Sequence, residues 1–193
     1  MATRLFVEHG FVTVTIAEVA VAADVSVNTV YNCFPAKEDL FLDRGKDVID
    51  RLSRWVRGRR AGESAADAVL RELCEAVEGL STTVGLFEGH ADFMKVITEA
   101  DALRSRLWAI QQESLLGPVT TMRAEAGAAE GDRLADLVAG QLTWVHGTVM
   151  GWIGTELAKR RKPEEVSRET LDPIDEMEEL LGEKVLTYAV RDA

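Results

Sequence analysis

Residues 27 to 32 include several polar side chains and belong to a segment with the periodicity of a short helix. Val30 and Phe34 lie four residues apart and, with Val25, are expected to point inward from a short helix. The opposite face then carries Val27, Asn28, Thr29, Tyr31 and Asn32. An asparagine amide can bridge N6 and N7 of adenine, a valine can touch a thymine methyl, and hydroxyl groups suit phosphates. The pattern indicates a helix whose exposed face could read the major groove of DNA.

A second short helix is predicted just before this one. Its apolar positions recur at i, i+3, i+4 and i+7 and are Ile16, Val19, Ala20 and Ala23. Thr15 and Glu18 have the spacing of a capping box, so this helix is predicted over about 15–23. Ser26 is a good N-cap for the next helix, predicted over about 26–34. Two short helices with a tight turn are typical of a helix-turn-helix, although the pattern also occurs in ordinary helical bundles.

The rest of the chain also has helical periodicity. From Lys37 the apolar positions predict one long helix that continues to about Trp55. Further helices are predicted over 64–80, 90–99, 102–126, 132–161 and 173–191. The last of these is placed by Asp172-Pro173, because aspartate caps a helix and proline suits its first turn. No segment of the sequence alternates with period two, so an all-α protein is predicted.

Charge is distributed unevenly along the chain. The 193 residues include 22 Lys and Arg and 33 Asp and Glu, which gives a net charge of −11. Residues 1–60 contain nine basic and eight acidic residues, whereas residues 61–193 contain 13 basic and 25 acidic residues. This asymmetry predicts two units with different roles, which we place at 1–45 and 46–193.

The sequence favours a soluble protein of the cytoplasm. No apolar run approaches the roughly 20 residues that a membrane helix needs. The segment from Met1 to Glu8 lacks the apolar stretch of a signal peptide. Two cysteines, Cys33 and Cys74, are too few for a disulfide framework and suit a reducing compartment.

The segment from Leu5 to Leu40 resembles the TetR family of bacterial transcription regulators. The resemblance rests on Leu5-Phe6, Gly10-Phe11, Thr15 to Ala20, Ala23 to Tyr31 and Phe34 to Leu40. It implies a three-helix DNA-binding domain over 1–45, followed by a helical effector-binding and dimerisation domain over 46–193. By the same resemblance, the phosphate-contacting positions are Thr15, Ser26, Thr29, Tyr31 and Lys37. The positions that read bases are Val27, Asn28 and Asn32.

Two departures from the family pattern bear on DNA binding. The family usually has glycine where Asp24 stands, so this aspartate is expected to adopt a left-handed conformation. The chain begins near the middle of the family's first helix, so that helix is expected to be short and to lack a basic arm. Residues 1–40 hold two basic and five acidic residues, which predicts weak DNA affinity. The cluster Arg51, Arg54, Arg57, Arg59 and Arg60 is expected to pair with acids of the larger domain.

A stripe of small residues predicts a dimer interface. On the helix at 132–161, one face carries Gly140, Gly147, Gly151, Gly154 and Ala158. Glycines inside a helix are costly, so the stripe indicates close helix approach, either to a second subunit or to a bulky neighbour in the same chain. The resemblance implies that the last two long helices form the interface. The final helix would contribute Ile174, Met177, Leu181, Val185 and Tyr188.

Effector residues are predicted on the central helices, where an apolar pocket with a few polar groups is the expected site. The candidates are Phe87, His90, Phe93, Met94, Trp108, Met122, Trp144 and His146. A methionine or aromatic residue on such a face belongs more often to the plain core, and His146 could equally be an interface histidine. A metal site at Glu88, His90 and Asp92 is not predicted, because alternate residues do not share a helix face.

The sequence does not predict an enzyme, a cofactor or a membrane partner. Its three histidines are scattered, and it contains no phosphate loop, nucleophile elbow or zinc-ligand spacing. The function expected instead is a homodimeric repressor that binds a palindromic operator. A small apolar or weakly cationic effector would tilt the helix that begins at Lys37 and release the DNA. The alternative is a helical ligand- or protein-binding dimer whose DNA module is degenerate.

Overall fold

The computed structural model describes residues 1–129 and 131–192, and within those ranges it is helical with no strand. Eleven α-helices are described there: α1 Ala2–His9, α2 Ile16–Ala22, α3 Val27–Cys33, α4 Lys37–Phe41, α5 Gly45–Arg57, α6 Ala65–Glu78, α7 His90–Glu99, α8 Asp101–Glu125, α9 Arg133–Ala158, α10 Pro163–Glu179 and α11 Glu183–Leu186. A short 3₁₀ turn spans Thr82–Val84. The all-α prediction is confirmed. None of the described helices is long and apolar enough to cross a membrane.

Local sequence signals fix the start of α2 and α3. The hydroxyl of Thr15 accepts a hydrogen bond from the backbone N–H of Glu18 at 3.2 Å, and the Glu18 carboxylate accepts one from the Thr15 N–H at 2.7 Å. This is the predicted capping box. The Ser26 hydroxyl caps α3 by accepting from the N–H of Thr29. Between the two helices Asp24 has φ 54°, so the predicted left-handed aspartate is confirmed.

The prediction of one long helix from Lys37 is wrong. The chain leaves helical geometry at Leu42, where φ is −99° and ψ is 43°, and restarts as α5 at Gly45. Tertiary packing explains the break. A Cβ atom placed on Gly45 would lie 2.7 Å from Cδ1 of Ile110, so a larger residue at the start of α5 would require the Ile110 side chain of α8 to move. The side-chain period is the same on both sides of the break and does not reveal it.

The predicted helix over 173–191 is also wrong in its bounds. Helix α10 begins ten residues earlier, with Pro163 in its first turn, and Pro173 lies inside it. The helix tolerates Pro173 because buried residues on both sides hold it to the core. Those residues are Val166, Ser167, Thr170 and Ile174. A separate short helix, α11, follows.

Two hydrophobic cores lie side by side. The N-terminal core joins Phe6, Phe11, Val30 and Phe41 to residues 96–103 of α7 and α8. The C-terminal core runs from Leu52 to Tyr188 and is built mainly from α5, α6, α9 and α10. The long helix α8 contributes to both cores, since Leu103 belongs to the first and Met122 to the second. A rearrangement of α7 or α8 would therefore be felt directly in the N-terminal core.

Candidate nucleic-acid interface and internal cavity

Helix α3 lies on the surface and is anchored by one side chain. Val30 is 6% exposed, whereas Val27, Asn28, Thr29, Tyr31 and Asn32 are all exposed. The expectation that Val25 points inward is wrong, because its side chain is 42% exposed in the turn before the helix. Phe34, just beyond the end of α3, packs partly buried against the same core, so the face opposite Val30 and Phe34 is open to a partner.

The exposed polar residues divide into two groups. Ser26 and Thr29 share a hydrogen bond between their hydroxyls at 2.8 Å, and the Thr15 hydroxyl donates to the Glu18 carboxylate. The Thr15 and Ser26 hydroxyls serve first to cap α2 and α3, and the Thr29 hydroxyl is bonded to the Ser26 cap. Asn28, Tyr31 and Asn32 make no side-chain hydrogen bond to any other described residue, so their polar groups are available to an external ligand.

Lys37 is held close to the N-terminal core. Its ammonium donates a hydrogen bond to the carbonyl of Phe11 and lies 4.5 Å from the centroid of the Phe11 ring. Burial lowers the pKa of this ammonium. An ammonium has three N–H donors, so two of them are left for a phosphate beside α3.

The N-terminal helices match a known protein family. Residues 1–43 match the family model described as bacterial regulatory proteins, tetR family. We refer to residues 1–43 as the TetR module, after the family model that they match. The matched range takes in α1 to α4, so this TetR module contains the caps, the left-handed Asp24 and the exposed α3 described above.

Solved structures resemble the chain over nearly its full length. A TetR transcriptional regulator from Rhodococcus sp. RHA1 is 22% identical, with a TM-score of 0.47. NalD, the secondary repressor of the MexAB-OprM multidrug efflux pump in Pseudomonas aeruginosa, is 17% identical, with a TM-score of 0.49. In each case the match covers 91% of this chain and 90% of the other. No curated protein matches the chain.

A cavity of about 380 Å³ lies between the TetR module and the rest of the chain. Of the predicted effector residues, Phe87, His90 and Phe93 line it. The others lie elsewhere: Met94 packs on the N-terminal core, Met122 is in the C-terminal core, Trp108 and Trp144 are exposed, and His146 stands behind the cavity wall. Sequence reasoning missed the lining residues Phe41, Val48, Arg51, Leu107, Ile110 and Met150.

Arg51 is the one charged residue that is buried in the cavity wall. Its side chain is 3% exposed, and Nη1 lies 3.4 Å from Nε2 of His146. Desolvation lowers the pKa of Arg51 to about 10, so it stays charged at neutral pH. Burial, and then the Arg51 charge, lower the pKa of His146 to about 4. The sequence does hold a signal for the burial of Arg51, because Arg51 falls on the same helix face as the apolar residues Val48 and Trp55.

The other arginines of the cluster have acidic partners. Arg59 pairs with Glu125, and Arg60 with Glu63 and Glu75, as the prediction of pairing with the larger domain requires. Arg54 and Arg57 instead pair with Asp47 and Asp50 on their own helix. For Arg51 the prediction is wrong, since no carboxylate among the described residues lies within 4.0 Å of it.

Helix α9 has an open apolar face. A Cβ atom placed on Gly140, Gly147 or Gly151 would meet nothing within 4 Å, whereas one on Gly154 would lie 3.8 Å from His90. Large apolar side chains on the same side are exposed: Leu137, Trp144 and Trp152. Ala158 is exposed as well. The close neighbour expected for Gly140, Gly147 and Gly151 is therefore not found within the described chain.

The residues predicted to complete the interface from the final helix are not on this face. The prediction is wrong for Ile174, Leu181, Val185 and Tyr188, which are buried in the C-terminal core, and Met177 packs against the same core. The opposite, exposed face of α10 is strongly acidic and includes Glu169, Asp172, Asp175, Glu176 and Glu179. The helical period was correct, but the stripe it marks is covered by this chain's own helices.

Proposed function

We propose that this chain is a homodimeric transcriptional repressor that binds a palindromic operator through its TetR module. The observation that carries the proposal is the open face of α3 within the matched residues 1–43, where Asn28, Tyr31 and Asn32 have unused polar groups. The DNA-binding unit is 1–45, and the unit for effector binding and dimerisation is 46–193. A repressor of this kind acts by binding in the cytoplasm, and the proposal assigns it no catalytic group or cofactor.

Base contacts are assigned to Val27, Asn28 and Asn32, and phosphate contacts to Thr15, Ser26, Thr29, Tyr31 and Lys37. Asn28 and Tyr31 are the strongest candidates, because both are exposed and neither side chain is engaged by another described residue. The hydroxyls of Thr15, Ser26 and Thr29 each retain a lone pair or proton beyond the hydrogen bonds that they make within the chain. The small number of cations in the module predicts a shallow salt dependence.

Dimerisation is assigned to the open face of α9. Leu137, Trp144 and Trp152 supply apolar surface, and Gly140, Gly147 and Gly151 let a partner helix approach closely. A symmetric pair would present two α3 helices to successive major grooves, which are about 34 to 36 Å apart. An operator with two half-sites fits that arrangement.

Release of DNA is assigned to the cavity. Its wall includes Thr3 of α1 and Phe41 of α4, together with Phe93 of α7 and residues of α5 and α8. The Phe41 and Phe93 rings are stacked with centroids 4.5 Å apart. A ligand that enters beside this pair would shift α4 against α7, reorient the TetR module and change the separation of the two α3 helices.

DNA binding tests the proposal directly. The chain and its Asn28→Ala/Tyr31→Ala variant would be titrated with DNA flanking the chain's own gene, over a range of salt concentrations. We expect specific binding that the double variant loses by about 100-fold. The matched control is Cys33→Ala, an exposed residue of the same helix that should bind as the parent does. If the folded dimer binds no flanking palindrome at low salt, the repressor proposal fails and the alternative of a ligand-binding dimer with a degenerate module replaces it.

The dimer face is tested by a pair of tryptophan variants. Trp144→Glu on α9 should convert the dimer to monomers in sedimentation equilibrium, because it places a charge in an apolar interface. Trp108→Glu on α8 is the matched control, since Trp108 is also an exposed tryptophan. Dissociation by Trp108→Glu and not by Trp144→Glu would contradict the α9 assignment.

A further inference from the structure

The cavity wall contains a buried positive charge with no negative partner among the described residues. Four other arginines in the segment 51–60 each pair with a carboxylate, whereas Arg51 makes its one hydrogen bond to the His146 ring. Asp47, one turn earlier on α5, is occupied by Arg54. A guanidinium removed from water in this way is unfavourable unless an anion approaches it.

The unused part of Arg51 has the geometry of a fork. Nη1 faces His146, while Nε and Nη2 make no hydrogen bond to any described residue. Nε and Nη2 lie on the same edge of the guanidinium, and their two parallel N–H groups match the two oxygens of a carboxylate. Arg51 lines the cavity, so an anion bound there would lie beside this guanidinium.

The other residues of the cavity wall indicate the polarity of the part of a ligand that does not contact Arg51. The wall is largely apolar and includes Phe41, Phe87, Phe93, Leu107, Ile110 and Met150. Its other charged residues, Asp43 and Arg44, are both exposed and of opposite sign. Burial lowers the pKa of His90, and that of His146 is about 4, so neither imidazole adds charge at neutral pH. The interior therefore carries a single positive charge.

We propose that the cavity binds an apolar monocarboxylate, with the carboxylate on Nε and Nη2 of Arg51 and the apolar body against Phe41 and Phe93. This ligand class replaces the apolar or weakly cationic effector expected from the sequence, because a cation would be repelled by Arg51. Its role as the effector rests on the proposed function, but the binding site itself does not.

Calorimetric titration of the full chain without DNA tests the site. Two matched pairs of probes would be used below micelle-forming concentrations: decanoate against decanol, and phenylbutyrate against phenylbutanol. In at least one pair we expect the carboxylate to bind about tenfold or more tightly than the alcohol. Equal binding of acid and alcohol in both pairs, or no binding of either acid, would overturn the inference.

Substitution of Arg51 ties the preference to this residue. Arg51→Met should bind acid and alcohol equally, while its Tm without ligand should be no lower than that of the parent, because an unpaired buried charge has been removed. Arg54→Met, which alters an exposed and paired arginine of the same helix, should keep the preference. Retention of the preference by a folded Arg51→Met protein would overturn the assignment.

The outcomes separate this inference from the proposed function. If the carboxylate preference is present but the chain binds no DNA, the repressor proposal fails and the carboxylate site stands. If the chain binds its operator but shows no carboxylate preference, this inference fails and the repressor proposal stands.

Discussion

Helix α3 and the cavity are two candidate binding regions with opposite construction. Five exposed side chains of α3 come from six consecutive residues, and Val30 is the one buried residue of the helix. The cavity draws its wall from α1, α4, α5, the 82–93 segment, α8 and α9, and its one interior charge is buried. A surface that meets a large partner needs only a stable helix beneath it. A site that encloses a small ligand needs many segments to converge.

This difference has a consequence for stability. An exposed side chain on α3 can be changed with little effect on folding, whereas a side chain in the cavity wall belongs to the core or stands against it. Changes in the first region should therefore alter DNA affinity alone. Changes in the second should alter stability and ligand binding together.

The largest effect is expected from Phe41→Ala compared with Tyr31→Ala. Phe41 is 1% exposed and stacks on Phe93, so its truncation should lower the free energy of unfolding by about 3–5 kcal/mol. Tyr31 is exposed, and its truncation should change that free energy by less than about 0.5 kcal/mol while weakening DNA binding. Urea unfolding of both variants measures the contrast. Similar losses for the two would remove the distinction between the regions.

A pH-dependent effect should come from the cavity side. His146 packs edge-on against Trp55 and faces the charge of Arg51, and its pKa of about 4 lies below the unfolded value of about 6.5. The unfolded chain therefore binds the proton first. The contribution of His146 to the free energy of unfolding should be fully present above pH 6.5, and that free energy should fall by up to about 3 kcal/mol as the pH drops to 4.

Unfolding measured between pH 7 and pH 4 checks this slope. His146→Gln should flatten it, whereas His9→Gln, which alters an exposed residue of α1, should leave it in place. An unchanged slope in the His146 variant would show that other groups govern the acid response.

Smaller effects are expected from the two capping boxes, one at the start of α2 in the TetR module and one at the start of α6. Thr15→Ala should lower the free energy of unfolding by about 1 kcal/mol, because one backbone N–H of α2 loses its partner. Ser64 caps α6 in the same way but is 1% exposed, so Ser64→Ala should cost more, up to about 2 kcal/mol. Thermal unfolding of both gives the order. A larger loss for Thr15→Ala would contradict the difference in burial.

The smallest effect is expected at the turn before α3. Asp24 has φ 54°, a conformation that glycine adopts without strain, so Asp24→Gly should raise the free energy of unfolding by about 0.5 kcal/mol. Ala17→Gly, in the ordinary helix α2, should lower it by about 1 kcal/mol. The same Asp24→Gly variant removes a negative charge from the TetR module and should bind DNA slightly more tightly. Destabilisation by Asp24→Gly would contradict the backbone argument.

The sequence predicted the TetR module well because its signals are local. Thr15 with Glu18, Ser26, and Asp24 in the turn each act within a few residues, and α2 and α3 fall inside the predicted ranges. Helix α7 was predicted with its observed bounds, 90–99. The predictions for the helix from Lys37 and for the helix over 173–191 failed because contacts distant in sequence decide their bounds, whereas Val25 lies exposed in the turn before α3.

The cavity was predicted only in part, and for a related reason. Phe87, His90 and Phe93 lie near one another along the chain and were found together. Arg51 was assigned to a charge pair because an arginine next to others is ordinarily exposed. The periodicity of α5 placed Arg51 on the apolar face of the helix. It does not predict whether the facing helix has an acidic residue opposite Arg51.

The sequence by itself determined the all-α fold, the caps of α2 and α3, the left-handed turn at Asp24 and the polar face of α3, since each depends on neighbours within one or two turns. Tertiary structure decided which stripes are covered. It buried Ile174 and Val185 inside the chain, left Gly147 and Trp144 of α9 open, and enclosed Arg51 without a carboxylate from the described part of the chain. A helical period shows that a face is apolar. Only the packing of distant helices decides whether that face meets the chain's own core, a second subunit or a ligand.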